Sequence, residues 1–180
     1  MTDQVKVTAA EYYELPETND TVELINGELI VSPPPIPDHQ RRVGNLYLLL
    51  RQLAPDGEVF LSPIEVYFDE ENIPQPDIVW VSANSRCVVT PKRLEGPPDL
   101  IVEVLSPGTE RRDKKAKFEL YQKFGVREYW LVHPQEQYVE VYLLENGVFV
   151  RHGVFGPDES FASPVLGGRV VELKEIIGQQ

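Results

Sequence analysis

Three residues of this 180-residue chain stand where their neighbours argue against them. Glu103 lies inside the run Leu100-Ile101-Val102-Glu103-Val104-Leu105, and a carboxylate in a strand that is apolar on both faces is costly unless a cation or a metal answers it. Asp77 opens a second apolar strand, Asp77-Ile78-Val79-Trp80-Val81, directly after Pro76. Lys117 falls, at ~100° per residue, between Asp113, Leu120, Tyr121 and Phe124 on the core-facing side of a helix, while Lys115, Glu119, Gln122 and Lys123 take the opposite side.

Two carboxylates and an inward lysine are a minimal set for a hard divalent cation and a phosphate. Oxygen-only ligands fit Mg²⁺ or Mn²⁺, which keep several waters and bind through one or two carboxylates beside a substrate phosphate. Zinc is not suggested, because the chain has one cysteine, Cys87, and three scattered histidines. Plainer readings stand beside this one. Glu103 can sit in an ion pair or on an edge strand, Asp77 can satisfy turn amides, and Lys117 can snorkel its ammonium to the surface. All three together can form a structural ion-pair cluster and nothing more.

The elements that must carry these residues follow from periodicity and turn chemistry. Asn26-Gly27 between two apolar runs predicts a type I′ hairpin over about 22–31. After the prolines at 33–35 and 37, Asp38 can cap a helix over about 39–53, with Val43, Leu46, Tyr47, Leu50 and Leu53 on one face. Strands are predicted over 58–68, 77–81 and 99–105. A helix then follows, capped by Thr109 and ended by Gly125, and a strand over 127–132. Asn146-Gly147 marks a second hairpin joining 138–144 to 148–155. The stretch 157–168 is loop-rich, and 170–177 is open between strand and short helix.

Length and order favour one α/β (α+β) domain over 1–180: an N-terminal hairpin about 22–31, a core about 38–133, and a C-terminal hairpin and tail 137–180. The hydrophobic fraction of 42% and charged fraction of 26% exclude disorder as the main state. A formal net charge of −12 disfavours a nucleic-acid coat protein or a polybasic membrane binder. Between Glu110 and Arg127, however, the chain carries seven basic and three acidic residues, a local basic lip that the total conceals. The single thiol, the absence of a 20-residue apolar run and an N-terminus unlike a signal peptide make the chain read as cytoplasmic.

Pro76-Asp77, followed by Glu103-Val104-Leu105, resembles the PD-(D/E)XK nuclease superfamily, and more closely its Uma-two family of restriction-type endonucleases. Further blocks match in order: 22–28, His39-Gln40, Gly96-Pro97-Pro98-Asp99, Arg112-Asp113 with Lys117 and Tyr121, and 125–131. The resemblance spans about residues 8–175 and implies a restriction-endonuclease-like mixed sheet, αβββαβ, flanked by helices, with added hairpins at both ends. That agrees with the elements read independently above.

The resemblance also implies roles. Asp77 and Glu103 would hold Mg²⁺ with the Val104 carbonyl, and Glu28 would be a further acidic site residue. The superfamily's lysine should stand two residues after the acid, where this chain has Leu105; Lys117 resembles a lysine migrated to the next helix. His39, Arg111, Arg112, Lys114 and Tyr121 are candidates for contact with substrate. The implied activity is Mg²⁺- or Mn²⁺-dependent hydrolysis of DNA by an endonuclease, with a homodimer as the expected assembly and no membrane partner. The alternative is a nuclease-fold domain without catalysis, acting as a binding or assembly module.

Overall fold

The computed structural model describes residues 6–106 and 112–178, and of residues 112–114 only the backbone. The Thr109 cap predicted for the second helix therefore lies outside the described residues.

Helix α1 (Ala9–Tyr13) begins at Thr8, whose hydroxyl accepts the Glu11 amide while the Glu11 carboxylate takes the Thr8 amide, a reciprocal capping box. Five residues are too few to register as a helical period. The first hairpin is β1 (Thr21–Ile25) and β2 (Glu28–Ser32), with positive φ at Asn26 and Gly27, as a type I′ turn needs.

Helix α2 (Pro37–Leu53) follows, and Asp38 is not its cap. Proline lacks the N–H that the first helical position leaves unused, and its φ is already helical. The helix thus starts at Pro37 after Ile36, and Asp38 pairs instead with Arg41 and Arg42 in the first turn.

The strand predicted over 58–68 is two strands, β3 (Gly57–Leu61) and β4 (Val66–Tyr67). Pro63 has no N–H to give a ladder, so the pairing stops there. Next come β5 (Ile78–Ser82), β6 (Val88–Val89), β7 (Leu94–Glu95) and β8 (Leu100–Val104), with β4, β7 and β6 forming a small separate sheet. Helix α3 (Arg112–Phe124) ends at Gly125, where φ is +85°, and β9 (Glu128–His133) and the hairpin of β10 (Tyr138–Glu145) and β11 (Val148–Phe155) follow.

The main sheet is mixed, in the order β11-β10-β9-β8-β5-β3, with β8 and β9 parallel and the other pairs antiparallel. The parallel pair is joined through α3, a crossover that antiparallel neighbours do not require. Every residue of β8 and β9 is buried, because both faces are covered. On one face α2 and the chain's C-terminal segment pack Leu46, Leu50, Trp80, Val102, Trp130 and Ile177 together. On the other, α3 and the first hairpin bury Val79, Ile101, Leu120, Tyr121, Tyr129 and Ile25.

The segment open between strand and helix contains both. β12 (Ser160–Ser163) pairs with β13 (Arg169–Glu172), and a 3-10 turn (Leu173–Glu175) closes the core. The buried Glu128 carboxylate fastens this piece to the sheet, accepting the Trp130 indole N–H at 2.7 Å and the Val165 amide at 3.2 Å. Among the described residues no helix is long and apolar enough to cross a membrane.

One buried acid predicts a measurable pH response. Burial alone would raise the Asp99 pKa, but the Ser82 amide and the Ser85 and Arg127 side chains hold it below the usual carboxylate value. A depressed folded pKa contributes stability that is complete above the unfolded value near about 4 and is lost as the pH falls through the folded one. Asp99→Asn is expected to lower the urea midpoint at pH 7 and to flatten its acid limb below about pH 4. A variant whose acid limb retains the wild-type slope would assign that limb to other carboxylates.

Candidate active site

Asp77 immediately precedes β5, and Glu103 is the fourth residue of β8. These strands pair antiparallel with Ile78 opposite Val102, so the register continues to Asp77 opposite Glu103. Opposed residues share a face, here the face covered by α3. The strand-end aspartate and the buried strand glutamate thus come from separate segments to one spot, with their side chains 17% and 10% exposed.

Lys117 points inward from α3, as its position on the helix predicts. Its ammonium lies 2.9 Å from Glu23 and 3.1 Å from Glu103, and its side chain is 11% exposed. Burial alone would push the Lys117 pKa down; the Glu103 and Glu23 carboxylates hold it above the ordinary lysine value. Burial drives the Glu103 pKa upward, Lys117 opposes this, and the neighbouring charges of Asp77 and Glu23 add to the rise. The Tyr121 hydroxyl donates to the same Glu103 oxygen at 2.7 Å.

Asp77 is held by the neighbouring strand β8 and by α2. Its Oδ2 accepts the Val104 amide at 2.7 Å and lies 3.2 Å from Nε2 of His39, in the first turn of α2. That hydrogen bond raises the His39 pKa, with burial opposing it. Each carboxylate is engaged through one oxygen, Oδ2 of Asp77 and Oε1 of Glu103. Among the described residues the second oxygen of each takes no hydrogen bond.

These groups lie in a cleft of about 680 Å³. Asp77, Glu103, Lys117 and Tyr129 line it together with the loops 18–21 and 33–36. The donor chemistry fits Mg²⁺ or Mn²⁺: hard oxygens, two carboxylates, and room for water and phosphate. No cluster of three or more His, Cys, Asp and Glu forms a ready cage among the described residues. A cation here would rest on the two carboxylates and take its remaining ligands from backbone, water or substrate.

Other expected residues fall differently. Glu28 lies beside the hairpin turn, paired with Ile25, and does not line the cleft. The acid that the hairpin brings to Lys117 is Glu23. The signal was available, because Glu23 stands between Val22 and Leu24 just as Glu103 stands between Val102 and Val104. Tyr121 is fully buried, gives its hydroxyl to Glu103 and is not among the residues that line the cleft. Val104 lines the cleft and gives its amide to Asp77. Arg111 and the side chains of Arg112 and Lys114 lie outside the described residues.

Comparison with known proteins bears on this geometry. The model of the Uma2 (Uma-two) family, described as "Putative restriction endonuclease", matches residues 9–174. Among solved structures, the chain is similar to a protein of Anabaena variabilis described as "a putative nuclease belonging to DUF820". The two are 23% identical, the likeness covers 96% of this chain and 98% of that one, and the TM-score is 0.79. At that identity the likeness is one of fold. No curated protein matches the sequence.

Proposed function

The chain belongs to the Uma2 family of restriction-endonuclease-like proteins, and we propose that it is a cytoplasmic, Mg²⁺-dependent endonuclease that hydrolyses phosphodiester bonds of DNA. The observation that carries this reading is the meeting of Asp77, Glu103 and Lys117 on one face of the sheet at the floor of an open cleft.

Asp77 and Glu103 would hold the cation, with the Val104 carbonyl as a further ligand. When bound, Mg²⁺ neutralises charge growing on the scissile phosphate and lowers the pKa of the attacking water. Lys117 orients that water and stabilises the developing negative charge. Glu23 holds Lys117 in place, Tyr121 sets the Glu103 carboxylate, and His39 with the Val104 amide fixes Asp77. Arg111, Arg112 and Lys114 belong to the basic run of the sequence that leads to Lys117 and would supply phosphate contacts, whose strength falls with salt. Cutting both strands of a duplex calls for two such sites, which a homodimer provides.

The competing reading, a nuclease fold retained as a binding or assembly module, draws on one observation. Lys117 already closes on both Glu23 and Glu103, so the cluster neutralises much of its own charge without a metal. Calorimetric titration with Mn²⁺ separates the two readings. The nuclease reading expects the wild type to bind and Asp77→Asn to bind on the order of 100-fold more weakly. No binding by either protein, once each is shown to be folded, favours the module.

A further inference from the structure

Among the described residues, two buried side-chain polar atoms have no hydrogen-bond partner: Nδ1 of His39 and the hydroxyl of Tyr129. Both residues line the cleft that holds Asp77 and Glu103. A hydroxyl removed from water without a partner carries a desolvation penalty that folded chains avoid almost everywhere. Two such atoms converging on one cleft mark groups held ready for something that enters it.

The register says where Tyr129 stands. β9 runs beside β8 with Tyr129 next to Ile101 and Leu131 next to Glu103, while β5 sets Val79 against Ile101. Tyr129 therefore occupies the row one pleat from Asp77 and Glu103, on the same face. Its ring is fixed by neighbours: Tyr121 at 5.2 Å, edge to face, Phe149 at 5.9 Å and Phe118 at 6.3 Å. Burial raises its pKa and the charges of Glu103 and Asp77 raise it further, so the hydroxyl lies in the field of both carboxylates. The Glu103 oxygen nearest α3 is already taken by Tyr121 and Lys117.

We infer that Tyr129 is a positioning residue of the cation site: its hydroxyl receives a hydrogen bond from a water of the cation's hydration shell and so steadies the cation against Asp77 and Glu103. A small divalent cation keeps several waters whose protons need acceptors, and a phenolic oxygen is one. The inference rests on the cation site of the nuclease reading, and it does not depend on cleavage.

Tyr129→Phe keeps the ring and removes only the hydroxyl. Mn²⁺ affinity by calorimetry is expected to fall about 10- to 100-fold, as it does when an outer partner of a metal site is removed. The thermal midpoint of the metal-free protein should stay level or rise, because an unpartnered buried hydroxyl is lost. Unchanged affinity overturns the inference, and so does weakened affinity accompanied by a lower midpoint, which would give the hydroxyl a partner inside the fold. A wild type that cuts DNA with metal while Tyr129→Phe binds Mn²⁺ normally defeats the inference alone. A wild type that binds Mn²⁺ through Asp77 but cuts no DNA defeats the nuclease reading alone. A wild type that binds no Mn²⁺ overturns both.

Discussion

Lys117→Met is expected to destabilise the fold by about 3–5 kcal/mol, the cost of breaking a buried ion pair from one side. The substitution leaves the carboxylates of Glu23 and Glu103 buried, close and without their shared cation. Among the described residues Glu23 keeps only the Gln75 amide, at 2.7 Å, and Glu103 keeps the Tyr121 hydroxyl. Neither replaces a full positive charge. The methionine stem fills the space of the lysine methylenes, so the loss reports charge and not a cavity.

The double variant Lys117→Met/Glu103→Gln removes one of the stranded charges and is expected to recover a large share of that loss, with a coupling of about 1–3 kcal/mol in a double-mutant cycle. Urea midpoints for the four proteins supply the measurement. A loss below about 1 kcal/mol for the single variant is the behaviour of a surface pair, and it would contradict the inward placement of Lys117.

Glu103→Gln separates structure from catalysis in the opposite direction. The amide keeps the shape of the side chain and removes a carboxylate whose burial is itself unfavourable, while Lys117 retains Glu23 as partner. The urea midpoint should therefore stay near that of the wild type. Metal-dependent cleavage should fall on the order of 1000-fold, which is about 4 kcal/mol of transition-state stabilisation and the scale on which a metal centre contributes. A purely structural ion-pair cluster predicts the reverse: a clear stability change and no metal response to lose.

Much of the fold was legible because its signals are local and chemically specific. Asn26-Gly27 and Asn146-Gly147 both adopt positive φ and both turn hairpins. The unbroken apolar run around Glu103 is the central strand β8, buried along its whole length. Lys117 was readable from helical geometry alone, since one turn of α3 fixes which residues face the sheet.

The parts that escaped are those decided by partners distant in sequence. β12 and β13 are four residues each, too short to show a period, and exist because Phe161, Val171 and Leu173 complete the core under the sheet. The walls of the cleft are the loops 18–21 and 33–36, and loops carry no periodicity that reveals what they will face. Glu23 was obscured by Glu28: both acids lie on one face of a hairpin, and only the docking of that hairpin against α3 decides which one meets the lysine. Tyr129, in an ordinary apolar strand, becomes notable only once its hydroxyl is found without a partner.

Incubation of purified protein with supercoiled plasmid, in Mg²⁺, in Mn²⁺ and in EDTA, with folded Glu103→Gln beside it as a control for contaminating nucleases, tests the central claim most directly. The nuclease reading predicts nicked and linear plasmid in either metal, none in EDTA, and loss of both products in the variant. Intact plasmid under every condition, or equal nicking by both proteins, would contradict it.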